Sequence, residues 1–167
     1  MSKVGRAAYS ASRARLELVT ADKTISKNES GELYLVGAPE GDPLTITLPS
    51  DAEVGTRYSF WISGAPGTDI ILSSPGVPGS TGAFFLGAVH WADGADPAAG
   101  GGAVDQVEAS LSVPENTLTL DTDTESGSWI DCVYAEDVTM GAVGIWFMCG
   151  FISAVTAPAF SVTTPIP

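Results

Sequence analysis

The sequence has few of the residues on which catalytic, metal-binding and redox sites depend. It contains one histidine and two cysteines in 167 residues. Two cysteines are too few for a disulfide scaffold, and their spacing matches no zinc motif. Charged residues make up only 16% of the chain and hydrophobic residues 44%, so the chain is not disordered throughout. We therefore expect one globular domain that folds without a disulfide, metal or other cofactor.

Positive charge is scarce and is concentrated near the N-terminus. Seven Lys and Arg residues oppose 20 Asp and Glu residues, which gives a net charge of −13. Residues 1–27 hold six of the cations and two acids, for a net charge of +4, and the remainder carries −17. The acidic body should repel nucleic acid and anionic membranes, whereas a basic N-terminal arm, residues 1–15, could bind an acidic partner. A solvated, frayed terminus is the alternative. The candidate contacts of the arm are its four cations, Lys3, Arg6, Arg13 and Arg15.

Targeting and membrane segments are not evident either. The first 20 residues contain four cations and no apolar run of 7–15 residues, so no secretory signal is expected and synthesis should be cytoplasmic. Residues 138–167 carry no charge, and residues 140–158 are long enough to be considered as a membrane span. Three glycines, the lack of flanking Lys or Arg, and the β-prone run at residues 145–148 argue against a span.

Long amphipathic helices are missing from the pattern as well. No 20-residue stretch shows a helical apolar stripe, and Gly and Pro together account for 30 residues without a collagen repeat. Short apolar or alternating runs between turn residues predict strands instead. The predicted strands are residues 15–19, 32–36, 44–48, 56–63, 69–73, 83–91, 104–113 (or one short helix), 116–120, 128–135 and 144–154.

Nine or ten short strands at this spacing are typical of an all-β sandwich or barrel. The predicted organisation is a basic arm (1–15), a β-rich globular domain (16–155) and an extended, proline-containing tail (156–167). Because side chains alternate along a strand, Tyr58 and Phe60 should face away from Trp61. Most aromatic residues are expected in the core, with some at a subunit interface, and one of these two faces is a candidate intersubunit contact.

The two cysteines fall in the last two predicted strands. If these strands form a hairpin, one register pairs Cys132 with Cys149 and places Ile130 opposite Phe151. We expect reduced, buried thiols that behave as small hydrophobic side chains. A cross-strand disulfide is the alternative.

No constellation of residues predicts catalysis. His90 has acidic residues near it in sequence only, and no nucleophile-elbow motif is present. Residues 121–125 alternate oxygen ligands, but Ser126 and Cys132 occupy the positions where a calcium loop needs Gly and Glu, which favours a solvated turn. The glycine-rich residues 93–103 are not followed by the Lys-Ser/Thr of a phosphate-binding loop. We therefore expect no catalytic residue and no metal site.

A series of short motifs runs in order through residues 19–152. The motifs are T-x-D-K-T-I, S-G-x-x-Y, I-T-L-P, G-x-x-Y-x-F, G-x-W-I and W-F, which begin at Thr20, Ser30, Ile46, Gly55, Gly127 and Trp146. In this order they resemble the capsid decoration (cement) proteins of tailed bacteriophages and related small β-rich virion proteins. The resemblance implies a β-sandwich or barrel on the virion surface, a homotrimer, contact with the major capsid protein, and no catalytic residues.

The sequence and this resemblance together predict a virion structural protein, made in the host cytoplasm, that binds the outer surface of an assembled capsid and stabilises it. The basic arm would contact an acidic shell while the acidic bodies stay apart. The alternative is a tail or fibre appendage or a carbohydrate-binding β-module, for which Trp91 is the candidate contact.

Overall fold

The computed structural model describes residues 15–37, 41–75, 83–93, 104–109, 115–137 and 143–161. These ranges contain one short 3-10 helix, Lys27–Glu29, and twelve strands. In chain order the strands are β1 (Leu16–Val19), β2 (Lys23–Thr24), β3 (Leu33–Val36), β4 (Leu44–Thr47), β5 (Arg57–Ile62), β6 (Ile70–Ser73), β7 (Phe84–Asp93), β8 (Val104–Ala109), β9 (Thr117–Leu120), β10 (Trp129–Asp137), β11 (Val143–Ala154) and β12 (Ala159–Ser161).

The strands form two mixed sheets that pack against each other, which confirms the predicted all-β fold and, of the two predicted architectures, gives the sandwich and not the barrel. The seven-stranded sheet has the order β1-β3-β5-β10-β11-β7-β8, and the five-stranded sheet has the order β12-β9-β6-β4-β2. No helix in the described part of the chain is long and apolar enough to cross a membrane. The uncharged stretch that invited that reading forms β11, whose side chains alternate between the two faces of the sheet.

The first six strands alternate between the two sheets. Strands β1, β3 and β5 are parallel neighbours in the larger sheet, and β2, β4 and β6 are parallel neighbours in the smaller one. Parallel strands need a crossover, and here the crossover is a strand of the opposite sheet instead of a helix. The N-terminal half is therefore a short superhelix of strands, in which the chain passes from one sheet to the other and back around the core.

The C-terminal half closes both sheets with mostly antiparallel strands. Strand β10 lies between β5 and β11 and is antiparallel to both, and β7 and β8 extend the sheet beyond β11. On the smaller sheet β9 is antiparallel to β6. Residues 159–161, which fall in the predicted tail, form β12 and pair with β9.

The core consists of the inward side chains of both sheets. Aromatic rings dominate the larger sheet's contribution, with Tyr34 stacked on Phe60 at 5.4 Å and Tyr58 against Trp146 at 5.7 Å between centroids. Aliphatic side chains of the smaller sheet complete it, because β4 points Leu44 and Ile46 inward and its threonines outward. Each such side chain contributes about 1.5–3 kcal/mol on burial.

The β10–β11 pair is antiparallel as predicted, but the predicted register is wrong by one residue. Cys132 lies opposite Met148, Cys149 lies opposite Asp131, and Ile130 lies opposite Gly150. A shift of one residue moves a side chain to the other face of the sheet. Cys132 is therefore buried in the core, whereas Cys149 is exposed on the outer face, which corrects the expectation that both thiols are buried.

The two thiols are free and lie on opposite faces, so the alternative of a cross-strand disulfide is also wrong. Burial raises the pKa of the Cys132 thiol well above its usual range. Burial also raises the pKa of Cys149, and the neighbouring Asp131 adds to that shift.

Candidate interaction surface

Of the four predicted arm contacts, the structure describes one, Arg15. Lys3, Arg6 and Arg13 lie outside the described residues. Arg15 is described, and its exposed guanidinium lies 3.3 Å from the buried carboxylate of Glu32, Nη1 to Oε1. Arg15 therefore contacts the acidic body of its own chain.

Trp91 is half-buried and packs against the core. Its indole N–H donates a hydrogen bond to the carbonyl oxygen of Ala154 at 2.9 Å. A ring that stacks on a sugar needs an open face, and most of this side chain is covered. Trp91 therefore joins the ends of β7 and β11, and its contact with a sugar stays a prediction.

The residues considered for catalysis or calcium binding do not converge on a site. His90 is exposed on the outer face of β7, with Phe151 and Gln106 as its neighbours in register, and neither is a carboxylate that could orient the imidazole. Asp121 accepts hydrogen bonds from the backbone N–H and the hydroxyl of Thr122. This is the local geometry of the predicted turn.

Three carboxylates, those of Glu17, Glu29 and Glu32, lie within 4.8 Å of one another at the end of the sandwich formed by β1 and β2. The ammonium group of Lys23 lies 2.9 Å from Glu17 and 2.9 Å from Glu29. It also lies 5.5 Å from the centroid of the Tyr34 ring. The positive charges that face these carboxylates come from side chains of the same chain, Lys23 and Arg15. We call this cluster the charged end.

The pKa values at the charged end reflect competing effects. Burial lowers the pKa of Lys23, but hydrogen bonds and charge interactions with Glu17 and Glu29 outweigh it, so the net shift is upward. Burial raises the pKa of Glu29, but hydrogen bonds from the Ser26 N–H and from Lys23 outweigh it, so the net shift is downward. The Ser26–Glu29 contact is half of a capping box that starts the 3-10 helix.

The outer face of the seven-stranded sheet is unusually apolar. Register brings five large side chains into one row across five adjacent strands, which we call the apolar row: Leu18, Leu35, Trp61, Trp129 and Phe151. Further apolar side chains, Leu16, Val133 and Phe147, lie on the same face in neighbouring rows. We call all eight residues together the apolar face.

Six members of the apolar face are exposed to solvent in the single chain. Their exposed fractions are 61% for Leu16, 63% for Leu18, 48% for Trp61, 42% for Val133, 46% for Phe147 and 36% for Phe151. With about 200 Å² for a fully exposed large side chain, the six expose about 600 Å². The largest apolar patch on a typical monomer is about 300–600 Å² and is often functional.

The local sequences explain why this face is apolar. Strand β5 points Tyr58 and Phe60 inward and Trp61 outward, as the alternation predicts. Strand β11 is apolar on both faces, with Phe147 and Phe151 outward. A sheet with one solvated face alternates apolar and polar residues, whereas a strand covered on both faces does not.

The smaller sheet shows how the same chain treats a solvated face. Outward positions in register carry a row of hydroxyl groups across all five strands, of which only that of Thr117 is on a buried residue: Thr24, Thr47, Ser73, Thr117 and Ser161. The two outer faces of the sandwich therefore differ in chemistry. One carries hydroxyl groups and the other carries aromatic and aliphatic side chains.

Charge is nearly absent from the apolar face. Among the described outward side chains of β3, β5, β10, β11 and β7, only Arg57 and Asp131 are charged. They lie on adjacent strands, two residues apart in register, since Asp131 is opposite Ser59 and Arg57 is opposite Val133. A shallow cleft of about 370 Å³ lies around them.

Comparison with known protein families, curated proteins and solved structures gave no match to this sequence or to this arrangement of strands.

Proposed function

We propose that this chain is a non-catalytic virion structural protein that binds the outer surface of an assembled bacteriophage capsid and stabilises it, as a decoration or cement protein. The observation that carries this proposal is the apolar face of the seven-stranded sheet. A surface of this composition is costly to leave in water and is suited to protein contact.

Stabilisation of the shell follows from mass action. A protein that binds the assembled shell but not its free subunits stabilises the shell by RT ln(1 + [L]/Kd), about 2.7 kcal/mol per site at 100 times Kd. The apolar face supplies area that is buried when protein subunits associate. Lys3, Arg6 and Arg13 supply charge that can reach an acidic shell, and this contribution weakens with salt because the Debye length falls to about 8 Å at physiological ionic strength.

The experiment is co-sedimentation of the purified protein with capsids assembled without it, and separately with the free capsid subunit. We expect binding to assembled capsids only. A variant that lacks residues 1–14 should bind more weakly, and its binding should depend less on salt than that of the full chain. Equal binding to free subunits, or no binding to capsids at any salt concentration, would refute the proposed function.

The second candidate function is a carbohydrate-binding module. The structure favours a sugar contact on the apolar face over the contact at Trp91 that the sequence suggested. Trp61, Trp129 and Phe151 form an aromatic strip on the surface, whereas Trp91 is largely covered. Adjacent strands are about 4.8 Å apart, so these rings pack side by side and leave little room for a separate sugar on each. Polysaccharide pull-down that is lost in Trp61→Ser and unchanged in Trp91→Phe would favour this function.

A further inference from the structure

We propose that the apolar face packs against the same face of a second copy of this chain, in a two-fold symmetric dimer and not in the homotrimer that the resemblance implies. The inference rests on the proposed function only in that it takes this face to be a contact surface, and it names the partner. Because a second copy would cover this face, the capsid would be contacted by the rest of the surface and by the basic arm. The area, the charge and the symmetry of this face favour such a dimer.

The area of the face is close to what a stable dimer needs. Specific interfaces bury about 800 Å² per partner. The six exposed apolar residues offer about 600 Å², and the polar atoms between them and at the rim supply the rest. Trp61, Trp129 and Phe151 lie on the three adjacent strands β5, β10 and β11, near the middle of the sheet. Central aromatic side chains of this kind carry most of the binding energy in protein interfaces.

The charge of the face favours a second copy over a charged foreign partner. Two bodies that each carry a large negative charge repel each other least when they meet through a surface without net charge. The apolar face has that property, since Arg57 and Asp131 cancel. An acidic or basic partner would find only one matching charge and one opposing charge there.

Two-fold symmetry makes use of both charges at once. In the described part of the chain neither Arg57 nor Asp131 takes part in an ion pair. A two-fold axis that lies in the interface and bisects the line between them brings each charge opposite its counterpart on the other copy. Contacts of this isologous kind are those of most homodimers, in which residue i meets j and j meets i.

The first test measures self-association by sedimentation velocity from 1 to 100 μM. We expect a dimer whose dissociation constant rises about 30-fold or more in Trp61→Ser, as for a central interface aromatic. The matched control is Ile71→Thr, which removes an apolar side chain from the outer face of the smaller sheet and should leave the dimer unchanged. Circular dichroism and thermal unfolding check that both variants keep the fold.

The second test exchanges the charges. Arg57→Asp alone and Asp131→Arg alone should each weaken the dimer, because each homodimer then faces two like-charged pairs. An equal mixture of the two variants should associate tightly, because both intersubunit pairs become attractive in the mixed dimer. A mixture that associates no better than either variant alone would overturn the isologous arrangement.

The outcomes separate this inference from the proposed function. A wild-type chain that stays monomeric to 100 μM, or that forms a trimer, overturns the two-fold dimer. If that chain still binds capsids, the proposed function stands. A dimer that depends on Trp61 and Arg57 but binds no capsid supports the inference and removes the proposed function.

Discussion

Replacing either of two neighbouring core tyrosines with phenylalanine should change stability in opposite directions. Tyr34 and Tyr58 are both buried, and their ring centroids are 6.2 Å apart. The Tyr58 hydroxyl donates a hydrogen bond to the carbonyl oxygen of Ser26 at 2.9 Å. The Tyr34 hydroxyl has no hydrogen-bond partner among the described residues. The two substitutions remove the same atom from similar surroundings, so each is the other's control.

The expected magnitudes follow from these contacts. A buried hydroxyl without a partner costs about 1–3 kcal/mol, so Tyr34→Phe should raise the free energy of unfolding by about 1 kcal/mol. Tyr58→Phe removes one hydrogen bond and should lower the free energy of unfolding by about 1 kcal/mol. Water can replace the lost donor at Ser26, which is exposed, so a larger loss is not expected. The two variants should differ by about 2 kcal/mol.

Urea unfolding at a fixed protein concentration, followed by tryptophan fluorescence, measures this difference. The midpoints should shift in opposite directions while the m-value stays constant, since neither substitution changes the surface exposed on unfolding. If Tyr34→Phe lowered stability as much as Tyr58→Phe, the Tyr34 hydroxyl would have to be hydrogen-bonded. The packing described for this end of the core would then be wrong.

Three further predictions test the backbone, the charges and the register. Gly87→Ala should cost about 3 kcal/mol or more, because Gly87 has φ +128° and an added Cβ would lie 2.1 Å from a carbonyl oxygen of β11; a cost below about 1 kcal/mol in urea unfolding would contradict this contact. The pKa of Glu29 is lowered from 4.5, so the stability that its ionised form contributes should be lost as the pH falls below about 4.5. The pKa of Lys23 is raised from 10.5, so the stability that its charged form contributes should be lost as the pH rises above about 10.5. In a series of thermal melts at different pH values, Glu29→Gln should therefore show a smaller loss of stability at acid pH than the wild type. A maleimide should label Cys149 in the native monomer and Cys132 only after unfolding, as mass spectrometry would show; labelling of both in the native protein would contradict the register.

The strands with a clear pattern could be predicted from the sequence, and the weaker ones could not. The alternation in residues 44–48 and the mixed pattern of residues 56–63 identify β4 and β5 because one face of each is buried. Strand β2 has two residues and β12 has three, which is too short for any period to appear. Their positions are set by the strands beside them.

Pairing between strands that are distant in sequence could not be predicted, because a strand has the same local pattern whether its neighbour is parallel or antiparallel. The wrong prediction of the register between β10 and β11 has a more specific cause. Strand β11 is apolar on both faces, so its hydrophobic pattern does not select one alignment. The structure selects one at Gly150, where an added Cβ would lie 2.4 Å from the carbonyl oxygen of Trp129.

The apolar face was only partly visible in the sequence. Alternation correctly places Trp61 opposite to Tyr58 and Phe60, and it allows one face of that strand to be an intersubunit contact. It cannot show that Trp129 and Phe151 lie beside Trp61, because that row depends on register across strands that are distant in sequence. The sequence made Trp91 the candidate sugar contact because a sequence does not show which distant residues cover a side chain. The hydrogen bond from the Trp91 indole goes to Ala154, which lies 63 residues later.

The charged end and the apolar face have complementary consequences for assembly. A superhelix of parallel strands can in principle grow by adding strands at its open edge, and at one end of this sandwich the edges are β1 and β2. Glu17 lies on the inward side of β1, opposite Tyr34, and its carboxylate is paired with Lys23 on β2. A strand added beyond them would have to bury this ion pair, which is unfavourable without further partners. In the proposed dimer, association is thereby directed away from the edge, where it would form a fibre, and towards the apolar face, where a two-fold contact closes after one partner has bound.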